Sequence, residues 1–127
     1  GRHKVNSVRI LEIENLSWDI VDIDTYGDPW NHYINLCKHT ACDVTVFLTN
    51  GKGAGKLSNV SNTVCRLLNI PENTPQVLRA QAVDNNINRV LHSCRKYDII
   101  PTDIIEVKPS DTVCYYAMRL KKQENVL

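Results

Sequence analysis

Asp22 and Asp24 stand two residues apart in a run that is apolar apart from its three aspartates, Trp18–Asp24 (WDIVDID), and the densest chemical signal of the chain lies there. On a strand, residues two apart share a face, so both carboxylates leave the C-terminal end of this segment on the same side. In open α/β sheets, ligands bind in the crevice beyond the carboxyl ends of the strands. A carboxylate inside a Val/Ile-rich strand is costly if left unpaired, which calls for a partner, a polar substrate or a perturbed pKa. The plainer alternative is that Asp24 caps a turn and Asp22 accepts backbone hydrogen bonds. The run continues as Thr25-Tyr-Gly-Asp-Pro29-Trp30, a cluster of turn residues. Asp28 suits the cap of a helix there, with Pro29 at its first position.

Other candidates are weaker. Asn50–Lys56 (NGKGAGK) has the look of a phosphate loop, but Asn50 and Leu57 stand where the pattern needs Gly and Ser or Thr. Lys52 and Lys56 remain candidates for contact with an RNA backbone from a mobile loop, against a plain surface connection. Asp22-x-Asp24 also matches a metal-binding D-x-D pattern, with no further acidic or His cluster to complete a hard-metal site. Cys37, His39, Cys42, His92 and Cys94 do not match common zinc spacing. Five cysteines without a C-x-x-C pair exclude a fully paired disulfide framework within one chain and suit a reducing compartment. Cys37, Cys65 and Cys94 fall on apolar stripes and are expected as small buried hydrophobes. Arg79, Arg89, Arg95 and Lys96 are expected on a solvated helix face.

The elements that would position these residues follow closely. Val8–Ile13 alternates apolar and polar and predicts a strand. Trp18–Ile23 and Asp43–Leu48 (DVTVFL) predict buried strands of the kind found inside parallel sheets. Trp30, Tyr33, Ile34, Cys37 and Ala41 recur at helical spacing, as do Leu57, Val60, Val64, Leu67 and Leu68 up to a stop at Asn69-Ile70-Pro71. Thr49–Lys56 between them predicts a flexible loop. Thr74-Pro75 opens a third, long helix carrying Val77, Leu78, Val83, Ile87, Val90, Leu91 and Cys94. Ile104–Val107 and Val113–Leu120 are joined by Lys108–Asp111, too short a connection for a parallel crossover, so they predict an antiparallel hairpin. The order β, β, α, β, α, α, β, β argues an α/β sheet with right-handed crossovers in a single domain over 1–127.

Asp22-Ile-Asp24-Thr-Tyr26-Gly27-Asp28-Pro29 resembles motif IV of class I S-adenosylmethionine-dependent methyltransferases. More narrowly it resembles the D-x-D-P-[FY]-G-[ST]-P form of the N2,N2-dimethylguanosine tRNA methyltransferases, from which Thr25 and Asp28 depart. The resemblance implies a Rossmann-like methyltransferase sheet, mostly parallel, ending in an antiparallel hairpin. In that scheme 8–13 is the third strand, 18–23 the fourth, 43–48 the fifth, and 104–107 with 113–120 the sixth and seventh. The first two strands are then missing, with the glycine-rich turn that approaches the cofactor. The chain is expected to be a fragment, a degenerate relative, or half of an assembly, with S-adenosylmethionine as a cofactor whose site is incomplete. The fourth strand is expected to leave an open apolar edge that the missing N-terminal half or a second chain covers.

The resemblance further implies catalytic roles for Asp22, Asp24 and Tyr26, near the methyl group and the target base. It implies substrate contacts from Gly27, Asp28, Pro29 and Trp30, with Lys52 and Lys56 on RNA. Trp30 or Tyr26 would stack on an extruded base, with a core position on the first turn of its helix as the alternative for Trp30. The function expected is RNA methylation, as in tRNA processing in the cytoplasm. The alternative is a non-catalytic Rossmann-like module that binds a protein partner through its open sheet edge.

Composition sets bounds. The chain has 127 residues, 43% hydrophobic and 23% charged, which suits one globular core and argues against a disordered tail. No apolar run approaches the length of a membrane span, and no signal peptide is expected. The formal charge of +1 does not by itself argue for nucleic acid.

Overall fold

The computed structural model describes residues 2–5, 20–24, 29–40, 42–51, 60–111 and 113–123. Five strands form one sheet: β1 (Arg2–Val5), β2 (Ile20–Asp24), β3 (Val44–Gly51), β4 (Ile99–Ser110) and β5 (Val113–Lys122). The helices are α1 (Trp30–His39), α2 (Asn62–Leu68), α3 (Gln76–Asn85) and α4 (Ile87–Leu91), followed by a 3-10 segment, His92–Tyr97. None of the described helices is long and apolar enough to cross a membrane.

The strand order is β1-β2-β3-β5-β4. β1 pairs with β2 and β2 with β3 in parallel, whereas β5 pairs antiparallel with both β3 and β4. The pairings therefore divide evenly rather than running mostly parallel. β5 alone is reversed, so the carboxyl ends of β2, β3 and β4 lie at one edge of the sheet. The expected C-terminal hairpin is present and longer than its apolar segments. β4 starts at Ile99 and passes through Pro101 and Asp103, which look like breakers. As an edge strand, β4 tolerates proline, and its register shifts between Thr102 and Ile105, where Asp103 adopts φ 54°.

A strand in the position of Val8–Ile13 lies outside the described residues. The partner of β2 is instead Arg2–Val5, in register from Arg2 opposite Ile20 to Val5 opposite Ile23. The expected open edge on β2 is thus occupied, because this short N-terminal strand fills the row of backbone donors and acceptors there. β1, four residues long, is in turn the edge of the sheet on this side.

β2 and β3 are not buried on both faces as expected. Val21, Ile23, Val44, Val46 and Leu48 are buried, while Asp22, Thr45, Phe47 and Thr49 are half-buried or exposed. The reason is one-sided packing. The buried residues of α1 to α4 and of the 3-10 segment join one cluster with the inward rows of β2, β3 and β5. Cys37, Cys65 and Cys94 belong to that cluster, as expected, and Cys114 joins them. All five cysteines are free thiols. Burial and the neighbouring Cys94 thiol push Cys37 well above the usual thiol range.

α2 is shorter than its spacing suggests. It begins at Ser61, whose hydroxyl accepts from the Val64 N–H at 3.4 Å. It ends as expected at Asn69, whose left-handed backbone (φ 58°) lets Ile70 N–H reach the Cys65 carbonyl at 2.8 Å. The third helix is not continuous. Asp84-Asn85-Asn86 interrupts it, and the Asn86 amide donates to the Ala82 carbonyl at 2.7 Å. Asp and Asn side chains compete with the helix for backbone groups, and Asn86 adopts φ −128°, ψ 30° between α3 and α4.

Arg79 departs from its expected solvated face: it is 7% exposed. Its Nε donates to the Thr74 carbonyl at 2.8 Å. Its Nη1 donates to the Val60 carbonyl at 2.9 Å and to Asn62 Oδ1 at 3.0 Å, and Nη2 donates to the Glu72 carbonyl. Gln76 bonds both backbone groups of Val60 beside it. One guanidinium therefore ties the α2–α3 turn to the start of α2.

Candidate functional site

The carboxyl end of β2 follows the period of two. Val21 and Ile23 enter the core, and Asp22 and Asp24 take the opposite face, Asp22 half-buried and Asp24 exposed. Register then brings residues distant in sequence alongside them. Asp22 lies opposite Phe47, Phe47 opposite Ala117, and Ala117 opposite Ile105. One step nearer the carboxyl edge, Asp24 lies opposite Thr49, Thr49 opposite Tyr115, and Tyr115 opposite Val107. Neighbouring strands are about 4.8 Å apart, so each row of four spans about 14 Å.

Between these rows lies a hollow of about 240 Å³ whose lining includes Asp22, Phe47, Thr49, Ile105, Val107 and Tyr115. Phe47 is 40% exposed and Tyr115 47% exposed, so both offer ring surface to solvent. A carboxylate at the side of an apolar, partly aromatic floor suits a flat ring carrying N–H donors: the ring covers the floor, and the carboxylate accepts from the N–H.

Of the other expected site residues, Tyr26, Gly27, Asp28, Lys52 and Lys56 lie outside the described residues. Thr49, Asn50 and Gly51 are not loop but the end of β3, paired with Tyr115, Cys114 and Val113. Pro29 opens α1, its carbonyl accepting from Tyr33 N–H at 3.0 Å. Trp30 is corrected. It is 1% exposed, with its ring 6.2 Å from that of Tyr33 and 5.6 Å from that of Tyr116, both edge-on. A ring enclosed by two core aromatics has no face left for an extruded base. Among the described residues, no group of three His, Cys, Asp or Glu side chains converges to hold a metal ion.

Sequence reasoning missed Phe47, Ile105 and Tyr115. Alternation in Val113–Leu120 carries a signal for Tyr115, which sits out of phase with buried Cys114, Tyr116 and Met118. His32, on the first turn of α1, is also unanticipated: its Nδ1 is buried and finds no hydrogen-bond partner among the described residues. Burial lowers its pKa from 6.5. The fold therefore favours neutral His32, and this stabilisation is full above the unfolded value and lost as pH falls below it. The melting temperature is expected to drop between pH 7 and pH 5, and His32→Gln to shrink that drop. An identical drop in the variant would assign the effect to other groups.

No family model matches the sequence, and no curated protein matches it either. Among solved structures, the chain is similar to Trm1 from Pyrococcus horikoshii, determined in complex with S-adenosyl-L-methionine. The superposition has a TM-score of 0.57 at 15% sequence identity and covers 91% of this chain. The chain spans 31% of the length of that protein. At this identity the likeness shows the fold: a methyltransferase-like α/β sheet.

Proposed function

We propose that this chain, as one domain, forms the acceptor-positioning part of an S-adenosylmethionine-dependent methyltransferase that acts on RNA. The observation that supports this reading best is the position of Asp22 and Asp24 at the carboxyl end of β2, beside the Phe47–Tyr115 floor. The sheet order and the likeness to the fold of Trm1, determined with S-adenosyl-L-methionine, agree with it.

In this reading a base lies on the apolar floor. A carboxylate of Asp22 or Asp24 accepts a hydrogen bond from its exocyclic amine, which orients the nitrogen lone pair toward the methyl donor. Orientation of this kind supplies a large share of such catalysis. Tyr26, Gly27, Asp28 and Pro29 would line the same end of β2, and Lys52 and Lys56 would meet the RNA backbone. Trp30 supports the site from within the core.

The residues present do not fit a complete methyl-donor site. β1 occupies the position beside β2, yet no glycine occurs between Val5 and Ile20, so the glycine-rich turn that a donor requires after such a strand is not there. The proposal accordingly assigns this chain the acceptor side alone and expects only weak affinity for the donor.

The test is equilibrium binding of a short single-stranded RNA to the chain. Binding is expected, and the double variant Asp22→Asn with Asp24→Asn is expected to weaken it about tenfold with the folded fraction unchanged. No binding by the wild-type chain up to about 1 mM RNA, or equal affinity for the variant, would contradict the proposal.

A further inference from the structure

The side chains of β5 fall into two rows. Cys114, Tyr116, Met118 and Leu120 enter the core, whereas Tyr115, Ala117, Arg119 and Lys121 take the outer face, opposite the described helices. The outer row changes character along its length. Tyr115 and Ala117 belong to the hollow beside Asp22, while Arg119 and Lys121 line a second hollow of about 250 Å³ with Asp43 and Thr45. Register sets the two hollows end to end. Phe47 lies opposite Ala117, and Thr45, two residues along β3, lies opposite Arg119. Two residues of a strand span about 6.8 Å, so Arg119 stands one such step from Phe47 and Ala117, and Lys121 stands two.

The second hollow is positively charged. Arg119 and Lys121 are exposed, and neither forms an ion pair or a side-chain hydrogen bond among the described residues. Asp43 is the one carboxylate among the described residues of the lining, and its Oδ1 already accepts from the Lys122 N–H at 2.8 Å. An aromatic floor followed by two cations at regular steps fits a chain of flat rings joined by phosphates. Each step is about the reach of one nucleotide in an extended strand. The bases of a duplex are stacked inside it and leave no face for Phe47 or Tyr115, so the fit is to a single strand. An acidic peptide would meet the cations and leave the aromatic floor unused.

We propose that the outer row of β5 is a track for single-stranded RNA. One base covers the Phe47–Tyr115 floor, the next phosphate meets Arg119 beside the Thr45 hydroxyl, and the phosphate after it meets Lys121. The track rests on the acceptor-site reading and adds to it the strand state of the substrate and the direction in which the substrate leaves the site.

The test is fluorescence anisotropy of a labelled ten-base RNA, single-stranded or annealed to its complement, titrated with the chain at several salt concentrations. The single strand is expected to bind at least fivefold more tightly than the duplex. In the double variant Arg119→Gln with Lys121→Gln, the slope of log affinity against log salt is expected to fall by about 1.4, or about 0.7 for each phosphate released. The control is Arg95→Gln with Lys96→Gln, which removes the same charge from exposed positions on the 3-10 segment and is expected to change the slope by less than half as much. An unchanged slope in the track variant overturns the proposal, as does an equal change in the control or equal affinity for the duplex. If Asp22→Asn with Asp24→Asn weakens binding and the track variant does not, the track falls and the acceptor site stands. The reverse pattern supports the track and removes the carboxylates from the site. No binding at all up to about 1 mM chain overturns both, and a dimer seen by sedimentation would then make this face a protein interface.

Discussion

Replacing Trp30 by alanine is expected to lower the unfolding free energy by about 3–5 kcal/mol, the range for removing a large aromatic from a packed core. Trp30 is 1% exposed and meets Tyr33 at an interplanar angle of 83° and Tyr116 at 63°. Such edge contacts add to the loss from burial alone. Domains of this size are stable by only about 5–15 kcal/mol, so the variant should lie near its unfolding transition at room temperature. Trp30→Phe, which keeps a ring in the same place, should recover much of the loss. The measurement is equilibrium unfolding in urea. A change in Trp30→Ala below about 0.5 kcal/mol, the range of ordinary surface positions, would show that the indole does not hold the core together and would reopen a role at the substrate.

The second large effect concerns Arg79. Arg79→Met keeps an apolar stem of similar length and removes the guanidinium. The carbonyls of Val60, Glu72 and Thr74, with Asn62 Oδ1, then lose their shared donor. Leaving a buried acceptor unsatisfied costs about 1–3 kcal/mol, and the Val60 carbonyl keeps the Gln76 amide as a donor at 3.3 Å. A net loss of about 2–4 kcal/mol is expected. The Arg66–Glu72 pair in the same turn, at 2.7 Å but with side chains 67% and 49% exposed, offers the contrast. Arg66→Met should change stability by less than about 1 kcal/mol, as usual for exposed pairs. If the two variants unfold at the same urea concentration, the buried network does not stabilise the turn as described.

The contrast between these arginines marks where sequence reasoning ends. Both lie on amphipathic segments, and nothing in residue type separates one that folds inward over three carbonyls from one that stays in solvent. Burial of Arg79 depends on the path of the α2–α3 turn, which is a tertiary fact. The break at Asn86 was hidden for another reason. Val83, Ile87, Val90, Leu91 and Cys94 keep helical spacing through the interruption and are buried or partly buried, so the apolar pattern survives where the backbone does not. In β4 the opposite occurred: Pro101 and Asp103 obscured a strand that an edge position permits. β1 offered four residues with no usable period.

The site was legible in the same partial way. A period of two suffices to put Asp22 and Asp24 on one face, and the short connection before Val113 suffices to make the C-terminal hairpin antiparallel. The neighbours of the aspartates come from three other strands, and only register supplies them. DVTVFL reads as a buried strand, yet the helices cover one side of the sheet, which leaves Phe47 on the side of the carboxylates. Trp30, adjacent in sequence to the motif, belongs instead to the core because it starts the helix that packs against β5.

The most direct test of the acceptor site is an amide map of the isotope-labelled chain titrated with a short single-stranded RNA. The account predicts that the shifts concentrate at Asp22, Asp24, Thr49 and Tyr115, around the hollow at the carboxyl ends of β2 and β3. Shifts confined to other faces of the molecule, or none at RNA concentrations up to about 1 mM, would contradict it.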